Sequence, residues 1–252
     1  MIVDRSKLQL VILKSFYDCM DNEAAKVLFP KLIDLKIKGY QKEYPYGVLP
    51  FDTSDFIATH IILCSTENEE IIPIMGMKSI THDTCKKHRI PFPMYNIIDK
   101  SNLTRHKEAI DKMLNSFEAQ GRSHDVAYNG SYTVAPFVRE DRSFSKECFG
   151  IASLSLIKYY QEAQIDKVIA ICSTKFKIDR YKKSIGWDYL KWNNEELPDF
   201  DCYSLFGEKF VIMDWKVQNA AKSKELEESF GHLWKNRIVI QKEHKDLDEA
   251  VA

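Results

Sequence analysis

A proline and three cations follow one another near the middle of the chain: Pro136, Arg139, Arg142 and Lys146. Because proline has no backbone N–H, Pro136 marks an edge, a bulge or the end of the strand predicted over Val126 to Val138. The cations precede a helix predicted over Glu147 to Gln164, and the N–H groups at a helix start attract anions. The spacing therefore predicts a strand-to-helix passage that can hold a phosphate group.

The same residues also have a simpler interpretation. Pro136 can end a strand without any further role, and the side chains of Arg139 and Arg142 can be solvated on the surface. From the residue types alone this simpler interpretation is favoured, because it needs no ligand. The order of the surrounding elements decides between the two.

Apolar periodicity predicts the elements that position these residues. Helical spacing indicates a helix over Ser6 to Met20 and a second helix after Asp21-Asn22, a natural capping pair. Two apolar runs, Phe56–Cys64 and Ile71–Ile80, flank a polar turn and predict an antiparallel hairpin.

The later elements alternate between helices and strands. They are a helix over Leu103–Gln120 with Gly121 as its stop, a strand over Val126–Val138, a helix over Glu147–Gln164, a short strand over Val168–Cys172, a helix over Lys175–Ile185 closed by Gly186, a strand over Lys209–Trp215 and a helix over Ala220–Lys235. Strand–helix–strand order implies one parallel crossover in an otherwise antiparallel sheet. The sequence thus predicts a mixed α/β (α+β) sheet.

The composition is that of a protein with a sizeable core and little net charge. Of 252 residues 44% are hydrophobic, and Lys+Arg 36 against Asp+Glu 37 leave a net charge of −1. This balance excludes a basic nucleic-acid coat, so no nucleic-acid partner is expected, and no apolar run approaches the ~18 residues that span a bilayer. The six cysteines form no Cys-x-x-Cys pair, and the N-terminus lacks the apolar block of a signal peptide. We therefore expect a cytoplasmic protein with reduced thiols.

The order of the elements resembles that of the GNAT acyltransferase superfamily. The similar residues begin at Ser131, pass through Gly150-Ile151-Ala152 and reach the Gly-aromatic pair Gly186-Trp187. With the hairpin and the late strand, the resemblance covers roughly residues 50 to 217. It implies a GNAT-like fold with splayed central strands and extra helices at both ends. We expect one domain over residues 1–252, with a helical segment at 1–50, an acyltransferase core at 51–217 and a C-terminal helix and tail at 218–252.

Within that superfamily the sequence is similar to the autoinducer-synthase and long-chain N-acyl amino-acid synthase branch. The similarity lies in Gly186–Leu190 and Gly207–Val211, and the region from Asp52 to Lys78 is compatible with it. That branch usually carries a Glu-x-Ser-Arg pattern entering the fourth strand, where this chain has Asn129-Gly130-Ser131-Tyr132. The replacement argues against homoserine-lactone synthesis.

The resemblance implies an N-acyltransferase. The donor would be acetyl-CoA, a longer acyl-CoA or the phosphopantetheine thioester of an acyl carrier protein, and the acceptor would be the amine of a small molecule or amino acid. The pantetheine arm would pair with a strand edge near Ala135 to Val138, and its pyrophosphate would meet the following loop. The residues assigned to the cofactor are Ala135, Phe137, Val138, Arg139, Arg142, Ser145, Lys146, Gly150 and Ala152.

One departure from the superfamily keeps a second hypothesis open. The superfamily's phosphate loop usually reads Arg/Gln-x-x-Gly-x-Gly/Ala, and this chain has Gly150-Ile151-Ala152 but Glu147 at the first position. A loop altered in this way also fits a non-catalytic module that keeps the fold and binds an acyl carrier or a partner protein.

The implied reaction, aminolysis of a thioester, needs a base for the amine proton and a proton source for the leaving thiolate. Tyr181 is the residue nearest to the superfamily's tyrosine acid, although it stands five residues before Gly186 instead of four. The alternative is that Tyr181 only packs in the core. For the base, Glu140 is the candidate, and Asp141 and His60 are further possibilities.

A metal site is not expected. His82, Cys85 and His88 supply donor atoms, but their spacing matches no standard zinc site. The neighbouring Lys86 and Lys87 also oppose a bound cation.

Overall fold

Strands and helices alternate along the chain. In the computed structural model, which describes residues 4–44, 50–67, 70–202 and 208–242, the strands are β1 (Leu8–Lys14), β2 (Thr59–Glu67), β3 (Glu70–Thr81), β4 (Val126–Val134), β5 (Lys167–Ser173), β6 (Asp188–Tyr189), β7 (Lys191–Trp192), β8 (Glu195–Glu196), β9 (Phe200–Asp201), β10 (Lys209–Lys216) and β11 (Ile238–Ile240). The helices are α1 (Glu23–Glu43), α2 (Ser54–Ile57), α3 (His82–Lys87), α4 (Tyr95–Lys100), α5 (Thr104–Ala119), α6 (Pro136–Glu140), α7 (Arg142–Glu162), α8 (Ile178–Ser184) and α9 (Ser223–Lys235).

Nine strands of the described residues form one mixed sheet. Its order is β11-β1-β2-β3-β4-β5-β10-β6, and β9 pairs with β10. The pairs β1–β11 and β4–β5 are parallel, and the other pairs in this sheet are antiparallel. The predicted mixed α/β fold is therefore confirmed, together with its parallel crossover from β4 through α7 to β5. The parallel pair β1–β11 was not predicted.

Helices cover both faces of this sheet. Successive residues of a strand point to opposite faces, and β3 shows the two environments. Gly76 faces Leu32 of α1, whereas Ser79 accepts a hydrogen bond of 3.0 Å from the Tyr160 hydroxyl of α7. The helix α1 therefore lies on one face and α7 on the other. Helix α9 packs beside α7, and α3, α4 and α5 enclose a second core that includes Ile80, on the α1 face.

The helix predicted over Ser6 to Met20 is wrong. Leu8–Lys14 form β1, which pairs with β2 on one edge and with β11 on the other. The run from Leu10 to Leu13 is buried, because a central strand is covered on both faces and lacks the alternation that would distinguish it from a helix. Residues 1–50 therefore supply a strand of the sheet as well as a helix.

The extra helices at the two ends are confirmed. Asn22 caps α1, since its side-chain oxygen accepts a hydrogen bond of 3.1 Å from the backbone N–H of Ala25. At the other end α9 starts at Ser223 instead of the predicted Ala220.

The passage after β4 differs from the prediction. The strand ends at Val134, before the predicted Val138, and Pro136 begins the short helix α6. Of the three roles predicted for Pro136, the end of the strand is therefore the one that the structure shows. Proline suits the first turn of a helix because an N–H there has no partner within the helix. Helix α7 then starts at Arg142, not at Glu147, with Asp141 as its N-cap. Two helices that meet at Asp141 replace the predicted loop.

The remaining predicted elements are confirmed with small shifts of their ends. They are the hairpin β2–β3, α5, β5, α8 and β10. Gly121 follows α5 with φ +70°, and Gly186 follows α8 with φ +105°, in the region that glycine enters most easily. Gly207 and the charged tail from residue 243 onward lie outside the described residues. The division of the chain at 50/51 and 217/218 stays a prediction.

Candidate functional site

The sheet opens between its central parallel strands. The last pair between β4 and β5 joins Tyr128 to Ile169. Beyond this pair β4 follows β3 as far as Val134, while β5 follows β10 as far as Ser173. The splayed central strands implied by the resemblance are therefore confirmed. The opening, called the splay below, lies between residues 129–134 of β4 and residues 170–173 of β5.

A β-bulge lies on β4 beside the splay. On one side of the bulge Lys78 pairs with Gly130, and on the other side Gly76 pairs with Thr133. Two residues of β4, Ser131-Tyr132, therefore oppose one residue of β3. Ser131 has φ +56°, an uncommon value for a residue with a side chain. A bulge disrupts the ladder, and backbone N–H groups freed from a ladder are suitable donors to an oxyanion.

A buried lysine enters the splay from α8. The Nζ of Lys182 donates a hydrogen bond of 2.9 Å to Oδ1 of Asn129 on β4 and lies 3.6 Å from the centre of the Trp187 ring. Burial lowers the pKa of Lys182, and the neighbouring Cys172 of β5 partly opposes this shift. The sequence prediction missed Lys182, because nothing in its local pattern separates it from the solvated lysines around it.

A second buried group of charges lies on the α1 face. The carboxylate of Asp55 accepts hydrogen bonds from the ammonium of Lys36 on α1 and, at 2.7 Å, from that of Lys78 on β3. Lys78 also donates to Asp52 at 3.0 Å and to Ser54 at 2.8 Å. Burial alone would raise the pKa of Asp55, but Lys36 and Lys78 together hold it far below its usual value. We call Lys36, Asp52, Asp55 and Lys78 the buried charge cluster.

His60 packs against this cluster in its neutral form. Its Nε2–H donates to the backbone carbonyl of Asp55 at 2.6 Å, and its Nδ1 is buried without a partner among the described residues. Burial, reinforced by the charge of Lys36, lowers the pKa of His60 to about 3. His60 is therefore a poor candidate for the base. The sequence marked the region from Asp52 to Lys78 as compatible with the synthase branch but did not predict the cluster.

Tyr128 connects the buried charge cluster with the splay. Burial raises the pKa of Tyr128, and Tyr40, Asp52, Cys172 and Asp55 add to this shift. The Tyr128 ring also covers Gly130, where a Cβ would lie 2.5 Å from a ring carbon. The cluster and Lys182 thus lie on opposite faces of the sheet at the splay.

The start of α7 carries charges of both signs. The carboxylate of Asp141 accepts from the Phe144 N–H at 3.0 Å and forms an ion pair with Arg5. Arg5 also pairs with Glu147 at 2.9 Å. Because Asp141 already occupies the helix N-terminus, a phosphate there would be held by side chains more than by backbone N–H groups.

The predicted cations divide between two environments. Arg142 and Lys146 are exposed on the first turns of α7, with the half-buried Ser145 between them. Arg139 lies in α6 and forms an ion pair with Glu43 at the end of α1. Arg142 and Lys146, unlike Arg139, form no ion pair with another described residue, so their side chains are available to bind a phosphate.

The predicted strand edge from Ala135 to Val138 is wrong. The Ala135 N–H donates to the carbonyl of Ile74 on the adjacent strand at 2.8 Å, and the Val138 N–H donates to Ala135 at 3.0 Å inside α6. Phe137 packs against the main core. An extended arm cannot pair there, and the open edge of β4 is in the splay instead.

Gly150 and Ala152 lie in the middle of α7. A Cβ at Gly150 would lie 2.5 Å from the Phe230 ring of α9, and Ala152 is buried in the main core. The Gly-x-Ala pattern therefore allows α7 to pack closely, and neither residue lies at the helix start, where the resemblance placed the phosphate.

The two candidate catalytic residues face different surroundings. Glu140 is exposed at the end of α6 and pairs with Lys42 of α1 at 2.9 Å, and this hydrogen bond lowers the pKa of Glu140. A lowered pKa makes its carboxylate a weaker base. The Tyr181 ring packs on Phe149 with 4.2 Å between ring centres, and its hydroxyl lies 3.4 Å from that of Ser153 on α7. Burial raises the pKa of Tyr181 and keeps it protonated.

Two other kinds of site are absent from the part of the chain that the structure describes. No three of its His, Cys, Asp or Glu side chains are grouped so that they could hold a metal ion. None of its helices is both long enough and apolar enough to cross a membrane.

Comparison with known proteins identifies the fold. No protein-family model matches this chain, and no curated protein matches its sequence. Among solved structures, the AHL synthase LasI aligns with a TM-score of 0.52 and 12% identity over 93% of this chain and 97% of its own. FeeM, an N-acyl amino acid synthase from uncultured soil microbes, aligns with a TM-score of 0.51 and 11% identity over 86% and 97%. BjaI, a CoA-dependent acyl-homoserine lactone synthase in a structure with SAM and isopentyl-CoA, aligns with a TM-score of 0.51 and 12% identity over 88% and 90%. This chain therefore has the GNAT-like acyltransferase fold.

Proposed function

We propose that this protein is an N-acyltransferase that moves an acyl group from a phosphopantetheine thioester to an amine. The observation that carries the proposal is the splay, where the open edge of β4 and the bulge at Ser131-Tyr132 lie beside a buried lysine. An extended, amide-bearing arm fits such an edge, and the thioester carbonyl would meet the backbone donors of the bulge. The acyl-transferring synthases that share the fold add support.

The donor would lie with its phosphate end at the start of α7. Arg142 and Lys146 are exposed there, and both can bind a pyrophosphate. Coenzyme A and an acyl carrier protein present the same phosphopantetheine arm, but only coenzyme A adds the adenosine diphosphate. If Arg142 and Lys146 contribute to donor binding, the donor is therefore acyl-CoA and not an acyl carrier protein.

The acceptor would approach from the α1 face. Asp52 belongs to the buried charge cluster, yet its side chain is 45% exposed. Because it is the partly exposed carboxylate of the buried charge cluster, Asp52 could bind the ammonium group of a small molecule or an amino acid.

The reaction is a nucleophilic substitution at the thioester carbonyl. The neutral amine forms the new C–N bond, the oxygen accepts the displaced electron pair, and backbone N–H groups at the bulge stabilise that charge. The C–S bond then breaks, the amine proton goes to a base or to water, and the thiolate takes up a proton. The products are an amide and a free thiol.

The experiment is a transfer assay with a panel of donors and acceptors. Acetyl-CoA, longer acyl-CoAs and an acyl-loaded carrier protein are each incubated with the protein and a mixture of amino acids and small amines. We expect saturable binding of at least one thioester, release of its thiol and an amide detected by mass spectrometry. Absence of binding to every thioester and to free coenzyme A would overturn the proposal.

A matched pair of variants tests the phosphate site. We expect Arg142→Ala with Lys146→Ala to raise the KM for acyl-CoA at least about tenfold, because a hydrogen bond to a charged group contributes about 1.5–3 kcal/mol. Lys224→Ala, on the exposed surface of α9, serves as the control and leaves the KM unchanged. Equal KM values for all three proteins would contradict this site.

The non-catalytic module is the second candidate. It is favoured by one observation: the residues of the splay include no carboxylate that could act as a base. Saturable thioester binding without transfer to any acceptor is the outcome that would support it.

A further inference from the structure

Ion pairing does not explain the lysine in the splay. The Nζ of Lys182 contacts the neutral amide of Asn129 and the ring of Trp187, and Cys172 lies nearby. Among the described residues no carboxylate forms an ion pair with it. Burying an ammonium group without a counter-charge is costly, so a position that only fills space would be better occupied by methionine.

Lys182 lies on the same face of the sheet as the proposed binding site of the thioester donor. Asn129, its hydrogen-bond partner, pairs in the sheet with Ser79, whose side chain contacts Tyr160 of α7. Lys182 therefore lies on the α7 face, as does the cationic start of α7. The acceptor side of the proposed function, with Asp52, lies across the sheet. A thioester placed in the splay would have its leaving group on the Lys182 side.

We propose that Lys182 is the acid of the reaction and gives its proton to the sulfur of the leaving thiol. This inference rests on the proposed function. As the C–S bond breaks, its electron pair stays on sulfur, and a proton moves from Nζ to that sulfur to give the free thiol. Lys182 regains a proton from solvent, which has received the proton lost by the attacking amine. The net reaction converts an amine and a thioester into an amide and a thiol, with no other reagent.

The groups around Lys182 leave its proton available. They are Cys172 from β5, Asp179 on its own helix and Tyr160 from α7, which lies near Asn129. Asp179 accepts a hydrogen bond of 2.8 Å from the Tyr189 hydroxyl and forms no ion pair with Lys182 among the described residues. Lowering the pKa of an ammonium group brings it closer to the pKa of a thiol, which is about 8.5. The closer the two pKa values are, the easier proton transfer from the ammonium to the thiolate becomes.

Tyr181 is the alternative acid, and it also lies near the bulge. Its ring packs on Phe149 of α7, which packs on Tyr132 of the bulge with 4.7 Å between ring centres, and its hydroxyl lies beside that of Ser153. The next residue, Lys182, differs in that it donates a hydrogen bond directly to a strand, at Asn129 of β4. The two assignments therefore make different predictions for Tyr181→Phe and Lys182→Met.

A leaving-group series tests the assignment. With an alkyl thioester such as an acyl-CoA, we expect Lys182→Met to lower kcat about 10²–10³-fold, within the range of general acid catalysis. With the S-phenyl thioester of the same acyl group the loss shrinks to a few-fold, because an aromatic thiolate leaves without a proton. Lys183→Met, at the exposed neighbour, is the control and lowers neither rate. Equal losses with both thioesters, or a leaving-group effect in Tyr181→Phe instead, would overturn the proposal.

Lys182→Arg separates proton transfer from charge. Arginine keeps the positive charge but holds its proton too firmly to donate it. We expect this variant to stay as slow as Lys182→Met with the alkyl thioester, while Lys182→Gln gives a second neutral variant if methionine prevents folding. Full activity of the arginine variant would mean that Lys182 only supplies charge, and the proposal would fall.

The titration of Lys182 provides a readout that needs no turnover. In protein labelled with [ε-¹³C]lysine, the signal missing from Lys182→Arg identifies the residue. We expect Lys182 to be protonated at neutral pH and to lose its proton at a lower pH than an ordinary lysine. The midpoint of this titration should coincide with the midpoint of the decline in kcat at alkaline pH. A neutral Lys182 at neutral pH would overturn the proposal, because it would have no proton to give.

The outcomes also distinguish a failure of the role assigned to Lys182 from a failure of the proposed N-acyltransferase function. If the wild type binds and transfers a thioester and Lys182→Met does so at the same rate, the assignment of Lys182 fails and the proposed function stands. If the wild type neither binds nor transfers any thioester, the proposed function fails and the role of Lys182 fails with it.

Discussion

The ammonium of Lys78 on β3 lies 2.7 Å from Oδ2 of Asp55, whose other carboxylate oxygen accepts from Lys36 of α1. Asp55 and Lys36 are completely buried, and Lys78 is nearly so. One carboxylate therefore holds two ammonium groups from different elements inside the protein. Removing one partner of a buried pair is more damaging than removing all of them, because the charges that remain are left without compensation.

We expect Asp55→Asn to lower the free energy of unfolding by about 3–5 kcal/mol, since it leaves two buried lysines without their shared counter-charge. Urea unfolding at neutral pH measures the effect. The control is Asp34→Asn, which removes the partner of Lys38 on the exposed side of α1 and should cost less than about 1 kcal/mol. Adding Lys36→Met to Asp55→Asn should restore part of the loss. Similar small effects of the two single variants would contradict the prediction.

His60 predicts a pH dependence of stability in the acid range. Its pKa is lowered from 6.5 to about 3 in the folded protein, so between these values the unfolded state binds a proton that the folded state does not. The free energy of unfolding must therefore fall as the pH drops through this window, by up to about 1.4 kcal/mol per pH unit.

The measurement for His60 is a series of urea unfolding curves at pH 7, 6, 5 and 4. His60→Gln, whose amide can still donate to the Asp55 carbonyl, should show a flatter dependence than the wild type. His232→Gln, on the exposed surface of α9, should retain the wild-type slope. Parallel curves for the wild type and His60→Gln would rule out this source of acid sensitivity.

We expect Gly150→Ala to destabilise the protein, although helix propensity alone would predict that it increases the free energy of unfolding. Alanine favours a helix over glycine by about 1 kcal/mol, but a Cβ at Gly150 would lie 2.5 Å from the Phe230 ring. We expect Gly150→Ala to lower the free energy of unfolding by about 1–3 kcal/mol, the usual cost of overpacking, and to lower it less when Phe230→Ala is also present. Thermal and urea unfolding measure both.

The matched control for Gly150 is Gly231→Ala in α9. A Cβ there would meet the end of the Glu227 side chain at 3.0 Å, and that side chain can move. This variant should therefore be neutral or slightly stabilising. If Gly150→Ala stabilised the protein as much as Gly231→Ala, the close packing of α7 on α9 would be wrong.

Local signals account for the elements that the sequence predicted. The hairpin β2–β3 joins neighbouring segments, and α5 and α8 end at glycines that adopt positive φ values. In each case the deciding residues lie within or next to the element. The predicted cations Arg142 and Lys146 are likewise exposed at a helix start, although that helix begins earlier than expected.

Long-range pairing accounts for the largest error in the fold. The strand β1 is buried on both faces because β2 and β11 flank it, and β11 comes from the opposite end of the chain. A continuous apolar run such as Leu10–Leu13 fits a buried helix and a buried strand equally well. Only the position of the partner strands distinguishes them.

The same reasoning applies to the site. The positive-φ position of the bulge at Ser131-Tyr132 holds serine, which gives no signal by itself, although Gly130 directly before it is a residue that often marks a bulge in a strand. Lys182 is one of two lysines on the short helix α8, and its burial depends on β4 and β5 diverging in front of it. The resemblance predicted splayed strands correctly, but it could not identify which side chain fills the gap between them.

Two glycines with positive φ allow the effect of steric contact to be separated from that of backbone conformation. Gly186 has φ +105°, and a Cβ there would lie 2.4 Å from the carbonyl oxygen of Asn219. Gly121 has φ +70°, and a Cβ there would meet nothing within 4 Å. Alanine at Gly121 should therefore cost only the strain of a left-handed residue, about 1 kcal/mol.

We expect Gly186→Ala to cost clearly more than Gly121→Ala, at least about 3 kcal/mol, because it adds a clash with backbone that cannot move aside to the strain of a positive φ. The difference between the two free energies of unfolding, measured in urea, isolates the contact. Gly186 is followed directly by Trp187, whose ring supports Lys182, so the variant should also shift the tryptophan emission of the folded state. Equal costs at the two glycines would show that the chain after α8 does not pack against Asn219 as described.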